Sequence, residues 1–319
     1  GAHALTPLMR GWLSIGNMID SMGFGWLMAY IIQSGSPVAA IAMSLLSAGA
    51  ITPIQAYTMV AGSRLGASLI VLQIGAIYAL RQRDKWSALT AGILSLLLTG
   101  SVMIVSLPLG MLILRWGWLD DFTLPALTQF AAGAGGGLDR LIRSLASLLP
   151  SWMVFGIGVG LVVASFQLFD RALPEFKFKE GDLGLVHQLI YRPEVMFMLG
   201  FGITLLTMSV SVSVGILVPL STRGYMRREN IMPYILGANI STLVDTLAAA
   251  ILLGNPQGIT VMMTHMVCGA AVSLMIIVLA YHRYERLISR SLSWMTRRRR
   301  NFIVSVGVAF VCPLLFIFM

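Results

Sequence analysis

Two short polar runs interrupt long apolar stretches of the chain, and their side chains are well suited to bind a small polar ligand. The run 33–36 reads Gln-Ser-Gly-Ser, and the run 208–211, which lies 175 residues later, reads Met-Ser-Val-Ser. The identity between the two runs is low, so the match depends on position. Polar interruptions at corresponding positions of two membrane repeats indicate the binding site of a transporter.

The same shift relates a second pair of segments without a gap. It carries Gly62–Leu65 onto Gly237–Ile240, and it carries Thr90 onto His265. Both segments are glycine-led polar sequences in apolar surroundings, which predicts a polar break inside a long helix. The structural alternative for these serines and glycines is close helix packing, where small residues are favoured.

Three ionisable residues fall within the apolar stretches: Arg64, Asp245 and His265. Such groups are costly at bilayer depth and usually mark a transport pathway or a partner. The forked donors of Arg64 suit a tetrahedral oxyanion, although the same side chain can instead form an ion pair with Asp245. Asp245 can also bind a coupling cation or a proton. His265 either packs between helices or relays protons.

The polar runs offer two kinds of ligand group. Half-helix N-termini and serine hydroxyls can donate to an anion, and carbonyl groups freed at the same tips can bind sodium. The candidate substrate-binding residues are Gln33, Ser34, Ser36, Arg64, Ser209, Ser211 and Asn239. The candidate ligands of a coupling ion are Ser63, Ser213, Thr242 and Asp245. Nothing resembles a phosphate-hydrolysing loop, a metal-ligand cluster or an activated nucleophile. We therefore expect no enzyme and no cofactor apart from sodium ions.

The composition is that of a polytopic membrane protein. Hydrophobic residues make up 57% of the 319 residues, charged residues make up 11%, and the mean hydropathy is +0.84. These values lie outside the range of soluble domains. Cys268 and Cys312 both lie in apolar segments and are interpreted as small hydrophobic residues. The net charge of +9 is explained by membrane orientation, so nucleic acid is not an expected partner.

The sequence predicts an all-α polytopic protein with two repeats, each a re-entrant helical hairpin followed by transmembrane helices. Each half of a hairpin is too short to span a bilayer, which needs about 20 residues. The predicted organisation is an N-terminal segment 1–21, repeat 1 over 22–115 (hairpin 22–50, spans 56–80 and 87–114), a connector 116–194 with an interfacial helix over 138–149 and the span 151–169, repeat 2 over 195–290 (hairpin 195–220, spans 231–253 and 259–281), and a basic anchor with a last span over 291–319.

The basic residues predict the orientation. If the first hairpin enters from one side, three crossings follow, so the second hairpin enters from the opposite side and the repeats are inverted. That opposite side then holds 17 of the 22 basic residues. Basic residues are concentrated in cytoplasmic loops. We therefore expect a multi-pass protein of the bacterial inner membrane, with basic loops in the cytoplasm and the C-terminus outside.

The motifs resemble those of the sodium-dependent phosphate cotransporter family, type II with its bacterial relatives. That family carries Gln-Ser-Ser-Ser in each of two inverted repeats, each followed by a motif similar to Gly-(Ala/Ser)-Asn-Ile-Gly-Thr-Thr. The resemblance covers residues 22–115 and 195–290. The positions of this chain that match the two kinds of motif are Gln33, Ser34, Ser36, Gly62, Ser63, Ser209, Ser211, Gly237, Asn239 and Thr242. His265 matches a histidine often found in the family's following helix.

This chain departs from the family pattern at several positions. Gly35 and Val210 replace the middle serines, and Met208 takes the second glutamine position. Arg64 stands where the first repeat should have asparagine. The family's sodium ligands come from these motifs, so the departures weaken the expectation of sodium coupling more than that of an anionic substrate.

The expected function is secondary active transport of inorganic phosphate, coupled to sodium, by alternating access between inverted repeats. One alternative is translocation of another anion or of a lipid-linked phosphate without sodium coupling. A second is a membrane scaffold or receptor that does not transport. The expected partners are phosphate or another phosphate-bearing anion and the lipid bilayer, and the oligomeric state stays open. We expect the Arg64 guanidinium to lie near both hairpin tips and near Asp245.

Overall fold

The computed structural model describes residues 16–81, 85–119, 192–215, 217–222 and 228–317, together with isolated helical positions between residues 153 and 168. Most of the predicted connector, including the interfacial helix 138–149 and much of the span 151–169, lies outside the described residues.

The described residues form helices and no strands, as the sequence predicts. Five helical stretches are long and apolar enough to cross a membrane, so the chain has the features of a multi-pass membrane protein. The helices are α1 (Met18–Ile32), α2 (Ser36–Ser47), α3 (Pro53–Arg81), α4 (Lys85–Trp116), α5 (Pro193–Thr207), α6 (Val210–Gly215), α7 (Leu217–Thr222), α8 (Arg228–Ser241), α9 (Leu243–Leu252), α10 (Pro256–Met275), α11 (Tyr281–Arg297) and α12 (Arg299–Ile317), with a π-helix (Ile276–Ala280) between α10 and α11.

Two helix starts are set by side-chain caps. Asn17 Oδ1 accepts from the backbone N–H groups of Ile19 and Asp20 (2.7 and 3.0 Å), and Asp20 Oδ2 accepts from the Asn17 N–H at 3.1 Å. Thr52 and Gln55 form a similar reciprocal cap at the start of α3. These contacts satisfy N–H groups that lack partners in the first turn of a helix.

Both predicted polar interruptions separate two helices. The helix α1 ends before Gln33, and α5 ends before Met208. These two residues have left-handed backbone conformations, with φ values of 58° and 48°, which end a helix by turning the chain away from its axis.

The helices before and after these interruptions repeat with a constant offset. The helices α1 and α5 have the same length of 15 residues, and their first residues, Met18 and Pro193, differ by the same 175 positions as residues 64 and 239. The left-handed residues that follow them, Gln33 and Met208, have this offset too. The packing is reciprocal, since α2 contacts α9 and α6 contacts α3. The helix bounds therefore follow the shift that relates the two polar runs.

Glycines allow the corresponding helix pairs to cross at backbone contact. A Cβ atom on Gly25 of α1 would lie 2.1 Å from the Met59 carbonyl oxygen of α3, and one on Gly200 of α5 would lie 2.0 Å from the Tyr234 carbonyl oxygen of α8. Gly62 and Gly237 make the return contacts, to Met22 and Phe197. Close helix packing, the structural alternative for the small residues, thus accounts for these glycines.

The predicted helix break occurs within neither of the two glycine-led segments. The first segment lies inside α3, which runs unbroken from Pro53 to Arg81, so the expectation of a break at Gly62–Leu65 is wrong. The second segment, Gly237–Ile240, lies inside α8, and the chain breaks only two residues later, at Thr242, between α8 and α9. Thr242 stands where the first half has Ala67. The apolar small residue in α3 offers no hydroxyl to compete with the helical backbone.

The helices α10, α11 and α12 pack against helices of the first half of the fold. The helix α10 continues through the π-helix into α11, and Arg298 alone separates α11 from α12. The helix α12 packs along α1, where the Tyr30 hydroxyl donates to the Ala309 carbonyl at 2.9 Å and Trp26 packs edge-to-face against Phe316. This packing holds α1 between α3 and α12.

Candidate functional site

Arg64 is the centre of the buried polar region. Its side chain extends from the middle of α3 and is only 5% exposed. Nη1 donates to Thr242 Oγ1 at 3.1 Å, and Nη2 donates to the Asn239 carbonyl at 3.2 Å. The Asn239 carbonyl belongs to the last turn of α8, where carbonyl groups lack intrahelical partners. The break after α8 therefore supplies the acceptors that hold this guanidinium.

The contact between Arg64 and Asn239 joins corresponding positions of the two halves. These residues are 175 positions apart, which is the offset that relates the helix bounds. Corresponding positions meet each other where two equivalent units are related by a two-fold axis. The Asn239 side chain in turn donates to Thr99 Oγ1 of α4 at 3.0 Å. The site thus lies where α3, α4 and α8 come together.

Asp245 is the buried acid of this region. Its Oδ1 accepts from the backbone N–H and the hydroxyl of Thr246, and the Ser36 hydroxyl lies beside the carboxylate. Oδ2 has no hydrogen-bond partner among the described residues. Arg64 acts on Asp245 electrostatically without forming an ion pair within 4.0 Å in the described part of the chain. Ser36 is the first residue of α2, so the carboxylate also faces a helix N-terminus, which stabilises negative charge.

His265 is buried without a polar partner. It is 2% exposed, and neither ring nitrogen has a hydrogen-bond partner among the described residues. The imidazole packs edge-to-face against Tyr57, with 4.8 Å between ring centroids. Tyr57 directs its hydroxyl away, to the Ser106 carbonyl at 2.9 Å. A neutral imidazole carries one N–H donor and one nitrogen acceptor. Because neither has a hydrogen-bond partner among the described residues, both are available to a ligand or to water.

A small cavity lies between Arg64 and His265. Its volume of about 20 Å³ holds roughly one water molecule. The apolar part of its wall comes from α4, α8, α9 and α10. Its polar lining residues are Arg64, Thr99, Ser106, Asn239, His265 and Ser273. A tetrahedral oxyanion does not fit this cavity unless the helices around it separate.

The first polar run lies against the helix that carries Arg64. A Cβ atom on Gly35 would lie 3.0 Å from the Ser63 carbonyl oxygen and from the Ala67 side chain. Ser36 is buried near Asp245, whereas Gln33 is exposed and turns back to the Tyr30 carbonyl. Ser34 is partly exposed. Of the run's candidate residues, Ser36 is the one that this arrangement brings to the buried polar region.

The second polar run makes mostly local contacts. Ser209 Oγ accepts from the Val212 N–H at 3.4 Å, as a residue before a helix often does. Ser213 is fully buried between the hydroxyls of Thr204 and Tyr234. The side chain of Ser211 lies outside the described residues.

The four candidate ligands of a coupling ion contact different groups in the structure. The Ser63 hydroxyl donates to the Val60 carbonyl of its own helix at 2.7 Å. Ser213 contacts Thr204 and Tyr234, while Thr242 accepts from Arg64. Asp245 has one oxygen without a hydrogen-bond partner among the described residues.

Four polar cavity residues were not among the predicted site residues: Thr99, Ser106, His265 and Ser273. A single hydroxyl residue in an apolar helix gives no distinctive signal, because it can bond its own helix backbone. The sequence does point to His265, because an ionisable residue within a membrane span usually marks a functional site or pairs with another polar group.

In the part of the chain that the structure describes, no group of three or more His, Cys, Asp or Glu residues is arranged to hold a metal ion. Comparison with protein-family models, with curated proteins and with solved structures finds no match.

Proposed function

We propose that this protein is a secondary transporter of inorganic phosphate and that Arg64 and His265 contact the anion. The observation that carries the proposal is the buried cavity between the two halves. Arg64 lines it, and so does His265, whose ring nitrogens have no hydrogen-bond partner among the described residues. Paired polar breaks and a site at the interface of two repeats are typical of secondary transporters.

The chemistry of the cavity suits an oxyanion. A guanidinium has five N–H donors, and two of those on Arg64 are engaged by Thr242 and Asn239. Donors that remain can bind two oxygens of one phosphate in the forked geometry that arginine favours. His265 adds a donor on the opposite helix, α10, so an anion in the widened cavity can be held from two sides.

Transport requires the cavity to open in turn to each membrane face. The present volume excludes phosphate, which corresponds to a closed arrangement. We propose that the two sets of helices related by the 175-residue offset are inverted repeats whose polar runs form the tips of re-entrant hairpins. Rocking of one set against the other about the contact between Arg64 and Asn239 would widen the cavity toward alternate sides.

Uptake by proteoliposomes tests this proposal. The purified protein is reconstituted, and radiolabelled phosphate uptake is measured with a sodium gradient, with a proton gradient and with no gradient. We expect uptake that saturates with phosphate and is lost in the double variant Arg64→Ala/His265→Ala. Absence of uptake under every gradient, from correctly folded protein, would reject the transport function.

A second candidate is a translocator of another phosphate-bearing anion without sodium coupling. It is favoured by Arg64, because the guanidinium occupies carbonyl and hydroxyl oxygens of the kind that sodium uses. Melting temperatures with phosphate and with lipid-linked phosphates separate the candidates, since a ligand stabilises the folded state that binds it. Stabilisation by inorganic phosphate supports the first candidate, and stabilisation by the lipid phosphate alone supports the second. A response to neither supports the scaffold or receptor.

A further inference from the structure

The helix α11 carries a strongly basic surface that the transport proposal does not use. Residues 281–300 include seven arginines and a single acid, Glu285. The side chains of Ile288, Leu292 and Met295 bury the inner face of this helix. Tyr284 adds a hydrogen bond of 2.6 Å to Ser101 of α4. The basic surface therefore sits on a helix that is fixed to the rest of the protein.

The neighbouring helices place α11 along a membrane face. The helix α10 has 20 residues and is about 30 Å long, enough to cross a bilayer. The chain changes direction at Ala280, where φ is −132° and ψ is 10°. After α11, only Arg298 precedes α12, another apolar helix of membrane length. Both ends of α11 thus lie at the same face, and a helix joining them must run along it.

A contact with the second half supports this placement. The Tyr281 hydroxyl donates to the Glu229 carbonyl at 2.6 Å. Glu229 lies in the first turn of α8, where one of the candidate membrane spans begins. The start of α11 is therefore level with the start of a membrane helix.

The outward face of α11 borders an open cleft of about 430 Å³, and all the described residues that line it belong to this helix. It is lined by Arg286, Ser289, Arg290, Ser293, Trp294 and Arg297, which recur at helical spacing on one face. Among the residues that the structure describes, no carboxylate lines the cleft. Glu285, the single acid of the segment, points instead toward His282, at 3.9 Å. The cleft therefore has an uncompensated positive charge.

We propose that this cleft binds the phosphate headgroup of an anionic membrane phospholipid. Three guanidinium groups provide forked donors for phosphate oxygens, and two serine hydroxyls can add further hydrogen bonds. Trp294 and Leu287 are 58% and 61% exposed on the adjoining surface, where an indole and an aliphatic side chain suit the boundary between headgroups and acyl chains. A helix that lies along the membrane presents this cleft directly to the headgroups of the leaflet.

Melting temperature in detergent measures the binding. The purified full chain in a neutral detergent is titrated with short-chain phosphatidylglycerol, with phosphatidylcholine of the same chain length and with inorganic phosphate at the same concentrations. We expect saturable stabilisation by phosphatidylglycerol and a response at least tenfold weaker to phosphatidylcholine. Equal stabilisation by phosphatidylcholine would overturn the proposal.

The cleft arginines show whether stabilisation by inorganic phosphate comes from the cleft or from the site around Arg64. If inorganic phosphate stabilises the protein through Arg64, that response persists in the cleft variant described next. If its response disappears with the cleft arginines and matches that of phosphatidylglycerol in size, the cleft binds free phosphate and the lipid assignment is wrong.

Two variants of equal net charge test the site. Arg286→Gln/Arg290→Gln/Arg297→Gln removes the cleft donors, and Arg283→Gln/Arg298→Gln/Arg300→Gln removes three nearby arginines that do not line the cleft. We expect the half-saturating concentration of phosphatidylglycerol to rise at least tenfold in the first variant and to stay within twofold in the second. An equal loss in both variants would mean that net charge alone attracts the lipid, and the proposal would fail.

A conservative variant covers the case in which the glutamine variant does not fold. Arg286→Lys/Arg290→Lys/Arg297→Lys keeps the charge and loses the forked donors, so we expect roughly threefold weaker binding or more. Unchanged affinity in this variant would count against a phosphate held by arginine forks.

Discussion

Arg64 is a permanent cation held in an apolar bundle by two oxygen acceptors. Thr242 Oγ1 and the Asn239 carbonyl fix its position, and Asp245 compensates its charge from beyond direct contact. A buried guanidinium with unused donors is costly unless a ligand or water also bonds it. The residue therefore combines a structural role, which joins the two halves, with the ligand role that we propose.

Substitutions of Arg64 should separate these roles. Arg64→Lys keeps the charge but loses the fork, and we expect phosphate binding to weaken about tenfold to a hundredfold, the equivalent of one or two charge-assisted hydrogen bonds. Arg64→Asn removes the cation and frees the two acceptors for sodium, so transport should become sodium-dependent if the guanidinium acts as a built-in cation. Isothermal titration and uptake with and without sodium measure these effects. Unchanged affinity in Arg64→Lys would exclude direct contact with phosphate.

His265 allows binding to be distinguished from packing. In His265→Leu a side chain of similar size replaces two unpartnered nitrogens, so the melting temperature should stay the same or rise. Phosphate affinity should fall about tenfold, because one donor to the anion is lost. Thermal unfolding and phosphate titration of the same preparation provide the two measurements. A lower melting temperature together with unchanged affinity would indicate a packing role alone.

At the scale of the helices, the fold depends on two glycine crossings. The helices α1 and α3 cross at Gly25 and Gly62, and α5 and α8 cross at Gly200 and Gly237. Each contact brings a backbone carbonyl to the place where a Cβ atom would stand. In lipid, the hydrophobic effect does not drive helices together, because the acyl chains are as apolar as the side chains. Close van der Waals packing at small residues holds the helices together instead.

Two glycines of α5 provide a matched test of this packing. A Cβ atom on Gly200 would lie 2.0 Å from the Tyr234 carbonyl oxygen, whereas one on Gly202 would have no neighbour within 4 Å. We expect Gly200→Ala to lower the free energy of unfolding by about 1–3 kcal/mol and Gly202→Ala to leave it unchanged or slightly raised. Denaturant unfolding in detergent micelles gives both values. Equal effects of the two substitutions would contradict the crossing geometry.

The helix breaks show how far local sequence determines an element. The interruptions at Gln33 and Met208 are predictable, because polar and glycine-containing runs break the apolar pattern on both sides. A break follows the second glycine-led segment at Thr242, but none occurs within Gly237–Ile240, and the expected break at Gly62–Leu65 is absent. There the glycine serves the contact with α1, and Arg64 is bonded to another helix, so neither residue requires the backbone to open.

At the scale of the whole molecule, α1 and α5 share their bounds at the offset of 175 residues, and Arg64 contacts its corresponding position, Asn239. The reciprocal packing of α2 with α9 and of α6 with α3 fits a two-fold relation that passes near Arg64 and Asn239. The crossing count and the positions of the basic residues predict that the two sets have opposite orientations in the membrane.

Cysteine labelling tests that orientation at corresponding positions. After replacement of Cys268 and Cys312 by alanine, single cysteines are placed at Ser47, which is exposed at the end of α2, and at Thr222, at the end of α7. An impermeant maleimide should label Ser47→Cys from outside the cell and Thr222→Cys only after permeabilisation. Labelling of both positions from one side would mean that the two sets are parallel, and inverted repeats would be excluded.

Sequence alone determined the class of the protein, the interruptions at two polar runs and the offset of 175 residues, because these depend on composition and on local backbone preference. It also identified Arg64, Asn239, Thr242 and Asp245, because polar groups stand out in apolar helices. Only the tertiary structure decided that Arg64 bonds its own counterpart position, that Thr99 joins this network, and that Ser213 faces Tyr234 rather than the cavity. A hydroxyl or amide takes whichever partner the neighbouring helix presents, and that partner is set by how the helices cross.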